Sequence, residues 1–180
     1  TYALNEGCYC VCIKDAGLIN YDRIRNGVFA SSDFWTIVNS GSGGFSIAAG
    51  LLSHNVDVDG TINDVITQTL ANALSALSCF TLTFTVSGIG GPPVAVSVLY
   101  DTATLTDQLL GTFTSDGAKT FSIDNIAVTK IKISSPNTRS FDIDNISIKE
   151  DVDCILCSCE SRKICLKTNH DDTIPEACNY

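Results

Sequence analysis

Residues 79–86 read CFTLTFTV. Phe80, Leu82, Phe84 and Val86 alternate with Thr81, Thr83 and Thr85, so an extended chain puts four large apolar side chains on one face and three hydroxyls on the other. A helical period of 3.6 residues would scatter both sets around the axis. The stretch is therefore predicted to be a strand with one face in a core, and Phe80 and Phe84 to be core residues.

The same period of two recurs on both sides of it. FWTIVN (34–39), DVITQTL (64–70), VAVSVLY (94–100), QLLGTFT (108–114), AVTKIKIS (127–134) and FDIDNISI (141–148) all read as strands. Turn-forming residues separate them at Gly41 to Gly44, Asp59-Gly60, Gly88 to Pro93, Asp116-Gly117 and Ser135 to Asn137. Short strands at about ten-residue spacing indicate an all-β sandwich or barrel with little helix. ANALSALS (71–78) has helix formers but sits tightly between strands, so a brief helical turn or an Ala-rich loop is expected there. FSIDNIAV (121–128) and FDIDNISI (141–148) echo each other in register, which reads as two neighbouring strands with similar local solutions.

The 180 residues carry 11 Lys and Arg against 20 Asp and Glu, a formal charge of -9. No basic run exists, so the electrostatic footprint that nucleic acid requires is missing. Apolar residues make up 44% and charged residues 17%, which supports a packed core. No 18-residue stretch is free of polar groups, so no membrane span is expected. The chain starts at Thr1 without a charged-then-apolar leader and holds no Met, and it is read as processed or cut from a longer polypeptide. Cysteines at 8, 10, 12, 154, 157, 159, 165 and 178 crowd the two ends. They divide the chain into an arm (1–19), a body (20–150) and a Cys-rich segment (151–180).

Asn26-Gly27-Val28-Phe29, Phe34-Trp35, the Gly-rich turn, FTLTFTVSG (80–88) and the closing FDIDNISI (141–148) stand in an order that resembles the galactose-binding-like jelly-roll domains, which include many carbohydrate-binding modules. The resemblance covers about 125 residues. It implies an all-β, two-sheet antiparallel jelly-roll sandwich whose first and last strands lie side by side, with a structural calcium where they meet. Asp144 matches an acidic residue that holds that ion in the family, and Asn26 opens the matching segment. Ala30 stands where the family has a further acid, and the competing reading has Asp144 and Asn145 bonding to a local turn. Trp35 matches a core tryptophan. Sugar sites on such modules combine an exposed ring with amides and carboxylates. Phe34 and Tyr100 are the aromatic candidates here, and Asn63, Asn72 and Gln108 the amides.

Nothing in the chain forms a catalytic signature. His54 and His170 are the two histidines, and neither lies in a nucleophile or metal-hydrolase motif. Asp142 and Asp144 project to the same face of one strand, whereas glycoside hydrolysis needs carboxylates across a cleft. HNVDVDG (54–60) has the beginning of a calcium loop without its terminal Glu and is read as a solvated turn. Cys79 is read as a free, inert thiol. The eight terminal cysteines leave disulfides, reduced thiols and zinc, with His170 in reserve, all open. CYCVCI (8–13) and CILCSC (154–159) are expected to pair and build a small Cys-rich subdomain from the N- and C-terminal segments.

The function expected is a non-catalytic glycan-binding or adhesive module of an extracellular or virion protein, such as a tail, fibre or capsid decoration. Its partners would be a glycan or cell-surface polysaccharide and neighbouring copies or other surface subunits. The alternatives are a spacer or assembly domain that binds no glycan, and the accessory module of a secreted glycan-degrading enzyme.

Overall fold

A computed structural model describes residues 21–155, apart from Leu77 and Asn125, and the side chains of 152–155 stand outside that description. Ten strands run in chain order: β1 (Trp35–Val38), β2 (Gly44–Ala48), β3 (Leu51–Asn55), β4 (Asp64–Thr69), β5 (Ser78–Gly90), β6 (Val96–Asp101), β7 (Gln108–Phe113), β8 (Gly117–Asp124), β9 (Lys130–Ser135) and β10 (Ser140–Ile155). They form two antiparallel five-stranded sheets, one ordered β1-β4-β9-β6-β7 and the other β2-β3-β10-β5-β8. Only β2–β3 and β6–β7 are hairpins within a sheet. Every other connection crosses between sheets, which seats the two inner faces on one shared core. No residue of the described segment is helical, and 71–76 is a loop.

The alternation in CFTLTFTV appears as predicted. Phe80, Leu82, Phe84 and Val86 are buried, while Thr81, Thr83 and Thr85 face outward. In β10 the alternation breaks once. Phe141 and Ile143 are buried, and so are Ile146 and Ile148, which are out of phase with the first pair. A bulge between Asp144 and Ser147, with Asn145 at φ 55°, resets the phase and returns the isoleucines to the core.

The first and last strands do not lie side by side as the resemblance implied, since β1 and β10 belong to different sheets, and it is the segment before β1 that meets β10. The Ile146 amide donates to the Gly27 carbonyl at 3.0 Å, the Arg23 amide to the Ile148 carbonyl at 2.9 Å, and the Ile148 amide to Asp22 Oδ1 at 3.0 Å. A Cβ at Gly27 would overlap the Ile146 carbonyl, so glycine is required there. Trp35, 8% exposed, packs on Phe29 with ring centroids 5.2 Å apart and donates its indole N–H to the Asn26 carbonyl at 3.3 Å.

Four further readings are corrected. β2 and β3 escaped the sequence reading, because they flank an Ala-Ala-Gly turn, and β8 begins and ends four residues before the strand read at 121–128. The echoing segments are not neighbours: β5 lies between β8 and β10, and residues 126–129 continue as loop. Cys79 is disulfide-bonded rather than a free thiol. HNVDVDG leaves β3 as a largely exposed turn, as read, but Asp57 within it is buried. The expected pairing of the Cys-rich ends, with Cys8, Cys10, Cys12, Cys157, Cys159, Cys165 and Cys178 and the side chain of Cys154, lies outside the described residues. The backbone of β10 passes Glu150 and pairs Ile155 with Ser78.

Truncating Trp35→Ala removes a large core aromatic and an indole hydrogen bond. It is expected to lower the unfolding free energy by about 3–5 kcal/mol, read as a reduced urea midpoint at unchanged slope. A loss below about 1 kcal/mol would mean that this edge of the core is not packed as described.

Candidate functional site

Strand register brings most of the sequence-predicted binding residues to one end of the sandwich. Trp35, Gln68, Ile131, Tyr100 and Gln108 are successive register partners across β1, β4, β9, β6 and β7. Phe34 precedes the first of them, and Asn72 lies just beyond the end of β4, exposed. Neighbouring strands lie about 4.8 Å apart, so Phe34 and Gln108 stand roughly 19 Å apart, an oligosaccharide's reach rather than one sugar's. Asn63 precedes Asp64 at the start of β4 and therefore sits at the opposite end. Tyr100 is half-buried and packs against the core, so it presents only part of its ring.

Phe34 is an exposed ring at this end, with 56% of its surface open. It sits at φ 71°, a region costly for a bulky side chain. The Arg25 guanidinium lies 5.2 Å over its ring centroid. Arg25 in turn is fixed through its backbone by a residue that the sequence reading did not single out. Buried Gln68 accepts the Arg25 amide at Oε1, 2.8 Å, and donates Nε2 to the Arg25 carbonyl at 2.7 Å. An amide side chain in the inner face of β4 thus mimics a backbone partner. The composition TQT gave no hint of this role.

The segment between Arg25 and Phe34 folds on Asn26, whose Oδ1 accepts the Ala30 amide at 2.9 Å and whose Nδ2 donates to the Ser31 carbonyl at 2.6 Å. Asp144 Oδ1 accepts the Asn145 amide at 2.7 Å and Oδ2 the Asn145 Nδ2 at 2.9 Å. The two residues named for calcium therefore have their side chains engaged in local turns. Asp142 accepts the Ser53 hydroxyl at 2.6 Å.

Beside Gln108 lies a charged cluster. Lys132 Nζ stands 2.7 Å from both Asp101 Oδ1 and Asp107 Oδ1, and Asp101 Oδ1 also accepts the Asp107 amide at 2.9 Å. Burial works to raise the Asp101 carboxyl. The Lys132 ammonium, the Asp107 amide and Lys130 outweigh it and hold the group below its usual value. Lys132 is shifted upward: burial disfavours its charge, and the two carboxylates more than compensate.

No family model matches the chain, and no curated protein matches it. Among solved structures, the second N-terminal cellulose-binding domain of Cellulomonas fimi β-1,4-glucanase C aligns at 14% identity over 74% of this chain and 96% of that one, with a TM-score of 0.52. A low-affinity xylan-binding module from Roseburia intestinalis aligns at 11% identity over 65% and 94%, TM-score 0.45. The first cleaved adhesin domain of Lys-gingipain from Porphyromonas gingivalis aligns at 14% over 66% and 92%, TM-score 0.46. The likeness to the cellulose-binding domain establishes the fold: this chain has the β-sandwich of carbohydrate-binding modules. No helix among the described residues is long and apolar enough to cross a membrane.

The lowered Asp101 carboxyl fixes a pH dependence. Its contribution to stability is fully present above the unfolded value of 3.8 and is lost as pH falls through the lower folded value. Urea midpoints measured from pH 7 to pH 2 are expected to fall less steeply below pH 3.8 for Asp101→Asn than for the wild type. Parallel curves would show that the Lys132 pair adds nothing to folding.

Proposed function

We propose that this domain is a non-catalytic glycan-binding module of a surface-exposed protein, and that it meets its ligand at the Phe34 end of the sandwich. The observation that carries the reading is Phe34 itself. An exposed aromatic residue held in the left-handed region under an arginine is unfavourable for folding alone, and such strain collects where function requires a fixed geometry. A ring stacks on the apolar face of a pyranose, and the Arg25 guanidinium, Asn72, Gln108 and Asp107 supply donors and acceptors for hydroxyls along the same end.

The thin supply of rings favours a second reading. Tyr21 and Phe34 are the exposed aromatic residues among the large exposed hydrophobics of the described segment. A spacer or assembly domain of a fibre, tail or adhesin would need no more than that.

Affinity electrophoresis through gels containing soluble xylan, cellulose derivatives or mannan separates the two. The wild type is expected to be retarded by at least one of them, and Phe34→Gly to migrate freely. Because glycine relieves the positive φ, the same variant is expected to gain about 0.5–1 kcal/mol of stability. A destabilised Phe34→Gly that still binds would assign Phe34 to the scaffold. No retardation of the wild type in any gel would favour the spacer.

A further inference from the structure

The opposite end of the sandwich holds a feature that the glycan reading does not use. Residues 39–43 join β1 to β2, and residues 56–63 join β3 to β4 and contain the Asp-Val-Asp of HNVDVDG. Asp57 is 2% exposed. Its Oδ1 accepts the Gly43 amide at 3.1 Å, while its Oδ2 is sealed from solvent with no hydrogen-bond partner. Asp59 approaches from the solvent side, where its Oδ1 accepts the Ser42 amide at 2.9 Å and the Ser42 hydroxyl at 2.7 Å.

The two carboxyl groups converge. A Cβ on Gly41 would overlap Oδ1 of Asp57 and crowd Oδ1 of Asp59, so a glycine roofs the space where they meet. None of the ion pairs among the described residues reaches either group. A buried carboxylate oxygen left without donor or counter-charge is disfavoured unless something positive completes it.

We propose that Asp57 and Asp59 bind a hard divalent cation, calcium, between the β1–β2 and β3–β4 loops. Carboxylate and hydroxyl oxygens suit calcium, whose variable coordination accepts backbone carbonyls and water for the remaining positions. Neither thiolate nor imidazole belongs to this loop pair, so its chemistry does not select zinc. The terminal Glu missing from HNVDVDG is no obstacle, because a second loop supplies oxygens that a one-loop site would take from its own sequence. The ion ties both loops together and, through the Asp57 amide bonded to the Asn137 carbonyl at 2.7 Å, braces the β9–β10 turn as well. Asn26 and Asp144 lie elsewhere, at the junction of the opening segment with β10, and take no part.

The test uses the full chain freed of metal with a chelator, then titrated with calcium chloride at constant ionic strength and followed by calorimetry and thermal unfolding. Calcium at about 100 times its dissociation constant is expected to raise the wild-type midpoint by roughly 5–10 °C. Asp59→Asn, an exposed substitution that leaves the core intact, is expected to weaken calcium binding by more than about tenfold. Asp57→Asn is expected to do the same where it folds, and Asp144→Asn to leave binding unchanged. The proposal is overturned if calcium neither binds nor shifts the midpoint, if Asp59→Asn keeps wild-type affinity, or if Asp144→Asn abolishes it.

Discussion

The backbone pairing of Gly27 with Ile146 is the contact on which the rest of the body depends. It joins the first described segment to the last strand across more than a hundred residues, and glycine alone permits the approach. Once it forms, the chain must turn at Asn26 and Phe29, both at positive φ, to deliver Trp35 to the edge of the core. The same turn brings Arg25 to the end of Gln68 and leaves Phe34 outside. Core closure and the display of the exposed ring are thus consequences of one close approach.

Buried polar groups complete the end of the sandwich opposite Phe34. His54 Nδ1 lies 2.8 Å from the Arg139 carbonyl, which only accepts, so Nδ1 carries a hydrogen. Nε2 faces Asp64 Oδ2 at 3.0 Å. Asp64 Oδ1 accepts the Ser40 amide at 2.7 Å, and the Arg139 guanidinium donates to the carbonyls of Gly91, Pro92 and Thr114. These groups are tied to loop backbone rather than to solvent. They fix how the connections leave the strands, a task that apolar packing cannot perform because it lacks direction.

The division of labour between the ends follows. At one end the loops are tied together by carboxylates that accept from loop backbone, while Val58 and Ile62 stay exposed. At the other, Phe34 and Asp107 are exposed at the two edges of a sheet, with Gln68 and Ile131 buried between them. Both outer sheet faces carry mainly Ser, Thr and short aliphatic groups, whose small area offers little to a sugar ring.

The sequence by itself determined the all-β class, most of the strands, the core faces of β5 and the burial of Trp35, because period-two alternation records which side of a strand meets water. The Asn-Gly-x-Phe opening and the Asp-Asn strand near the close also announced the junction of the two ends. Short strands such as GFSIA and LLSHN did not declare themselves, since they take their pairing from neighbours and not from their own pattern. Gln68 and Arg25 were invisible for a related reason: their roles arise where residues distant in sequence become hydrogen-bonding partners. Tertiary structure alone decided that Phe34 is exposed while Tyr100 is not. It also buried Asp57, because the amide that covers it belongs to Gly43, fourteen residues earlier in the chain.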